Sequence, residues 1–143
     1  MKRIIALLAA VVLAALTLTA CGKEYIPERL STDVIGMVSA TNSEVDKLYV
    51  VEDKEAVKEL VAIYNALSFT DLEGGADPEM MSRKVYCLTF YNTKGEKQAS
   101  CYLAPDGYIK MDNSLNDTYR LVNGFDEEKL NKLLEENNKY NKK

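Results

Sequence analysis

The run VYCLTFYNTKGEKQASCYLAPDGYIKM, residues 85–111, decides the fold. It holds three strand-length segments rich in aromatic and aliphatic residues, separated by Thr93-Lys94-Gly95 and Pro105-Asp106-Gly107. Each separator reads as a three-residue hairpin loop whose final glycine takes the left-handed position after a type I turn. The pattern therefore predicts antiparallel strands over 85–91, 97–103 and 108–111. Beyond the polar loop 112–117, Thr118 to Val122 makes a fourth strand of the meander.

With 93–95 as the loop, Asn92 faces Glu96, and carrying that register outward sets Cys87 opposite Cys101. This would be a non-hydrogen-bonded pair, with alpha carbons about 4.5 Å apart, inside the span that a disulfide bridges. The expectation is a Cys87–Cys101 disulfide, stabilising by roughly 3 kcal/mol or less for so short a loop. The alternative is two buried free thiols. The same register puts Val85, Cys87, Ala99, Cys101, Leu103, Ile109 and Met111 on one face, the side suited to lie beneath helices. The other face then carries Tyr86, Leu88, Phe90, Tyr102 and Tyr108, with Tyr86 directly opposite Tyr102. An apolar, aromatic sheet face of this kind is a candidate binding surface, unless another part of the chain covers it as second core. A slip of one residue would exchange the two faces.

Working outward, Val34 to Val38 and Leu48 to Val51 read as two strands joined through Thr41-Asn42-Ser43, an N-terminal hairpin. Asp53 is placed to cap a helix, and Val57, Leu60, Val61, Tyr64 and Leu67 recur at helical spacing from about Lys54 to Leu67. Ser68 to Lys84 is a long connection containing Gly74-Gly75 and Pro78, the kind of segment that is functional or disordered. Its Asp71, Glu73, Asp77 and Glu79 match no EF-hand spacing, and the 112–117 loop lacks the glycine and distal glutamate of a calcium loop. No metal site and no cofactor is expected. Asp126 caps a closing helix, with Phe125 and Leu130 forming a hydrophobic staple and Glu127 and Glu128 facing the positive end of the helix dipole. The fold class that follows is α+β: a two-layer domain over 32–143, with a mostly antiparallel sheet (hairpin plus four-strand meander) and two helices on one face.

The chain has no histidine and no tryptophan. The missing histidine removes Ser-His-Asp and Cys-His catalysis and the common zinc sites. Carboxylate chemistry remains open in principle, but no acidic pair has distinguishing context, and the expectation is a non-enzymatic protein.

Residues 1–20 resemble a secretory signal. Lys2 and Arg3 precede an apolar run from Ile4 to Leu16, too short for a comfortable membrane span. Leu18-Thr19-Ala20-Cys21 followed by Gly22 resembles the lipobox of bacterial lipoproteins. The resemblance implies diacylglyceryl attachment to Cys21 and cleavage before it, which leaves residues 21–31 as lipidated cysteine and tether. It also implies anchoring at the cell membrane on the extracytoplasmic, oxidising side, where disulfides persist. Two acyl chains hold a small domain stably where one would not. The mature chain, 123 residues with 16 basic and 22 acidic side chains, has a net charge of −6. That argues against a nucleic-acid partner. The order of elements resembles small envelope lipoproteins of Gram-positive bacteria, in general architecture alone. Together these readings imply a membrane-anchored binding module with a protein or peptide partner at the envelope. The competing reading is a small-ligand- or ion-binding lipoprotein using a cleft near the 68–84 loop.

Overall fold

The structure, a computed structural model, describes residues 23–72, 79, 84–111 and 118–141. Among the described residues it is an α+β fold: eight antiparallel strands in one sheet, with two helices. The strands are β1 (Glu24–Tyr25), β2 (Ile35–Asn42), β3 (Lys47–Val51), β4 (Phe69–Asp71), β5 (Tyr86–Asn92), β6 (Lys97–Ala104), β7 (Tyr108–Met111) and β8 (Thr118–Leu121). The helices are α1 (Lys54–Asn65) and α2 (Glu127–Asn137), and a 3-10 turn spans Lys139–Asn141. The sheet order is β1-β4-β8-β7-β6-β5-β2-β3. The expected hairpin and meander are both present, joined edge to edge by the β2–β5 pairing.

Local signals place the turns and caps where the sequence puts them. Gly95 and Gly107 have φ of 81° and 97°, and the Gly95 N–H donates to Asn92 O at 3.0 Å. The N–H of Ala56 donates to Asp53 Oδ1 (3.0 Å) and that of Lys129 to Asp126 Oδ1 (2.9 Å), so both predicted N-caps are made. The first hairpin turns slightly later than expected: β2 runs through Asn42, whose Oδ1 then accepts the Glu44 N–H at 3.0 Å.

The register of the central hairpin departs from the sequence reading. Asn92 does pair with Glu96 (N–H to O, 2.9 Å), and Tyr91 with Lys97. A bulge then leaves Gln98 unpaired, and from there Phe90 faces Ala99, Leu88 faces Cys101, Cys87 faces Tyr102 and Tyr86 faces Leu103. The cause is the hydrophobic pattern. The large apolar residues of β5 sit at 86, 88 and 90 and the β6 residues of the main core at 101 and 103, positions that share a face only if one residue is skipped. A bulge forfeits about one net hydrogen bond, roughly 1 kcal/mol. Burying Leu88 and Phe90 contributes about 1.5–3 kcal/mol each, so burial wins. An irregularity between Ile35 and Met37 serves β2 in the same way, bringing Ile35 onto the face of Val38 and Ala40. A Cβ on the intervening Gly36 would lie 3.1 Å from Thr93.

The buried cluster unites this sheet face (Val38, Ala40, Tyr49, Val51, Tyr86, Leu88, Phe90, Cys101, Leu103, Ile109) with Val57, Leu60, Val61 and Tyr64 of α1 and Leu130 and Leu134 of α2. Two strands were not foreseen. Phe69–Asp71 pairs with β8, and Glu24–Tyr25 pairs with β4, so the segment expected as a free tether joins the sheet three residues after Cys21.

Two matching clasps tie α2 to the sheet. Tyr49 Oη donates to Glu135 Oε1 (2.7 Å), and Lys47 Nζ reaches Glu135 Oε2 at 2.6 Å. Tyr86 Oη donates to Glu127 Oε1 (2.8 Å), and Lys84 Nζ lies 2.6 Å from the same carboxylate oxygen. In each clasp the lysine stands two residues before the tyrosine, with its ammonium over the tyrosine ring. Lys84 lowers the pKa of Glu127 and Lys47 that of Glu135, with the tyrosine hydroxyls adding to each shift.

Candidate functional site

The bulge at Gln98 overturns the expected binding surface. Tyr86, Leu88 and Phe90 are fully buried core residues. Tyr102 and Tyr108 lie on the opposite face, half-buried against Val85 and Ala104. The five residues therefore form no common surface, and Tyr86 faces Leu103 rather than Tyr102.

The same shift overturns the expected disulfide. Cys87 and Cys101 are free thiols, and since Cys101 pairs with Leu88, its side chain and that of Cys87 point to opposite faces of the sheet. Cys101 is wholly buried, and burial pushes its thiol pKa far up. Cys21 lies outside the described residues, as do Glu73, Asp77 and the loop 112–117. Of the acidic residues weighed in the long connection, Asp71 accepts a hydrogen bond from Tyr25 Oη at 3.2 Å.

The structure forms a cleft of about 640 Å³ at a place no sequence motif marks. One wall is the segment 27–35 leading into β2. The floor holds Leu30, Ile35, Tyr64, Phe69, Ala99 and Met111, and the far wall is the bulged start of β6, Lys97 to Ser100. Each part has a local cause. Asn65, in the last turn of α1, grips Leu30 from both sides: the Leu30 N–H donates to Asn65 Oδ1 (2.8 Å), and Asn65 Nδ2 donates to the Leu30 carbonyl (2.9 Å). A tight turn then forms as Ser31 O accepts the N–H groups of Val34 (3.1 Å) and Ile35 (3.3 Å).

Aromatic contacts pack the floor. Tyr64 packs on Phe90 with ring centroids 5.1 Å apart, and Phe69 on Tyr119 at 4.8 Å. Burial raises the Tyr64 pKa to about 12, with Cys101 and Glu28 adding to the rise, so the phenol is neutral at any physiological pH. β7 pairs with β6 only from Cys101 onward. Lys97 to Ser100 therefore have no strand on that side among the described residues, and the cleft runs along them.

The rim is polar: Glu28, Arg29, Ser31, Lys97, Gln98 and Ser100. Among the lining residues two cations, Arg29 and Lys97, stand against one carboxylate, Glu28. The cleft's volume falls in the range of small-ligand sites, which pair an apolar interior with a few polar groups. A second groove, about 360 Å³, runs between α1 and α2 and is bridged by the Lys129–Glu59 ion pair at 3.0 Å. It is shallow, mixed in charge and closed by its own ion pair.

Pro27, Leu30 and Asn65 carry sequence signals of a docked segment: a residue without an N–H, an isolated apolar side chain in a polar run, and an amide at a helix end. None of them specifies which surface the segment docks against. Among the described residues no group of three or more acidic or cysteine side chains is placed to hold a metal ion, and no helix is long and apolar enough to cross a membrane. No protein-family model, curated protein or solved structure matches this chain.

Proposed function

We propose that this chain is a non-enzymatic binding module of the bacterial cell envelope, held at the membrane by a diacylated Cys21, and that its ligand site is the cleft between residues 27–35 and the start of β6. The observation that carries the reading is the cleft itself: apolar floor, a rim carrying Arg29 and Lys97, and walls set by the Asn65–Leu30 clamp and the Gln98 bulge. A compact ligand with an apolar body and an anionic end suits that lining. The fold behind it is best read as two layers, with α1 and α2 on the sheet face that carries Leu88 and Phe90, since their apolar stripes join one buried cluster with that face.

The anchor and the cleft belong together in this reading. β1 starts at Glu24, so the acyl chains on Cys21 stand at most about 10 Å of chain from the sheet, and Pro27 at the cleft wall at most about 20 Å. The cleft therefore meets ligands at or near the bilayer surface. The aqueous envelope is its source of ligand only within that reach.

Two experiments test the two halves. Cys21→Ser should shift the protein from the detergent phase to the aqueous phase on phase partitioning and abolish labelling by radioactive palmitate; unchanged labelling removes the lipoprotein reading. For the cleft, Ala99→Leu and Met111→Trp fill its floor. In the mature chain, amide chemical shifts of Leu30, Ala99 and Ser100 should move on titration with dodecanoate, and both substitutions should suppress the movement at unchanged thermal stability. Shifts that cluster elsewhere, or survive both substitutions, refute the site.

A further inference from the structure

The outer edge of β3 carries an inference that goes beyond the cleft. Among the described residues β3 is the last strand of the sheet on its side. Four apolar residues follow one another in it, Leu48, Tyr49, Val50 and Val51, and Leu48 is 50% exposed. No proline and no bulge interrupts it. An edge of this kind pairs readily with a strand of another chain.

Two of its outward-facing backbone groups, the Val50 N–H and the Leu48 carbonyl, are occupied by a single side chain. The Val50 N–H donates to Asn138 Oδ1 at 3.2 Å, and Asn138 Nδ2 donates to the Leu48 carbonyl at 3.4 Å. One primary amide thus supplies the acceptor and the donor that a neighbouring strand would supply. Val51 adds an antiparallel bridge to the Asn138 backbone, which is itself extended at φ −64° and ψ 121°. Asn138 is 1% exposed, unusual for an asparagine. The turn after it is tied down at each end: Lys139 pairs with Glu52 at 2.9 Å, and Asn141 Nδ2 donates to Glu135 O at 3.0 Å.

We propose that Asn138 and the 3-10 turn behind it act as a stopper on a strand-addition surface, and that the partner this surface fits is a second copy of the same chain. Antiparallel β3–β3 pairing is two-fold symmetric and gives both copies the same apolar run. The charges agree with it. β3 begins at Lys47 and is followed by Glu52, so antiparallel pairing brings the lysine of each copy toward the glutamate of the other. In the closed chain Lys47 is held by Glu135 of α2, and Glu52 by Lys139 of the stopper.

Sedimentation velocity of the mature chain carrying Cys21→Ser, kept in reductant so that Cys87 cannot cross-link copies, tests this. The parent should remain monomeric across a hundredfold concentration range. Asn138→Ala should raise the dimer fraction at least tenfold at equal concentration, and Asn138→Asp, which keeps the acceptor but loses the donor to Leu48, should raise it less. Adding Leu48→Lys to either variant should restore the monomer. Folded, monomeric Asn138→Ala and Asn138→Asp proteins overturn the proposal, as does association that persists with Leu48→Lys. Loss of the fold in both variants also overturns it, since Asn138 would then hold the structure together rather than guard an edge.

Discussion

Replacing each cysteine by serine separates the register in the structure from the one that the turn alone would set. Cys101 is wholly buried, faces Leu88, and lies in the cluster that holds Phe90 and Leu103. Exchanging its sulfur for a hydroxyl puts a polar group into that setting with no partner shaped to receive it, at a cost of about 1–3 kcal/mol. Cys87, half-buried on the opposite face, should change stability by less than about 0.5 kcal/mol, as surface substitutions do. For a domain of this size a loss of about 2 kcal/mol lowers Tm by roughly 6–12 °C. Urea unfolding of the mature chain followed by far-ultraviolet circular dichroism, with and without reductant, reads the difference. The expected result is a large loss for Cys101→Ser, little for Cys87→Ser, and a wild-type curve that ignores reductant. Equal losses in the two variants, together with a wild type that reductant destabilises by up to about 3 kcal/mol, would refute the bulged register and restore the disulfide.

Further outcomes follow from the clamp and the clasps. Asn65→Ala removes both hydrogen bonds to Leu30 and should cost about 1–2 kcal/mol; it should also make the chain near residues 27–31 the first site of limited proteolysis, and an unchanged cleavage pattern would count against the clamp. Tyr49 and Tyr64 both have pKa values raised to about 12, Tyr49 by burial and its bond to Glu135, Tyr64 chiefly by burial. Because the folded value is the higher one, their stabilisation is intact below about pH 10 and is lost as pH rises toward 12; absorbance at 295 nm should show these two ionising only with unfolding. Glu127 and Glu135 are shifted the other way, so their contribution is present above the usual glutamate range and fades as pH falls through their lowered values. Glu127→Gln should flatten the acid limb of the stability–pH curve; a limb of unchanged slope would mean the clasp carries no weight.

How much of this was legible in the sequence depends on whether the cause is local. Asp53, Asp126, Gly95 and Gly107 act within a few residues of themselves, through a cap bond or a positive φ, and each sits where its residue type predicts. The helical stripe Val57, Leu60, Val61, Tyr64 is equally local and is buried as its spacing implies. β1 and β4 escaped notice because two- and three-residue strands have too few side chains to show a period. The cleft escaped it too, since the wall at Leu30 and the floor at Ala99 and Met111 meet only in space.

The central hairpin shows where the boundary falls. By itself the sequence determined that the hairpin exists, where it turns, and that Asn92 faces Glu96. It also determined the α+β class and, through the segment ending at Cys21, the expectation of an anchored, exported chain. Only the tertiary structure decided which side of each strand faces inward. That choice weighs one forfeited ladder bond at Gln98 against the burial of Tyr86, Leu88 and Phe90 beneath side chains of α1 and α2, more than twenty residues away along the chain. A turn constrains the residues beside it, whereas burial is settled by the whole core at once. One skipped residue was enough to turn an expected binding surface into the interior and to set two expected disulfide partners on opposite faces.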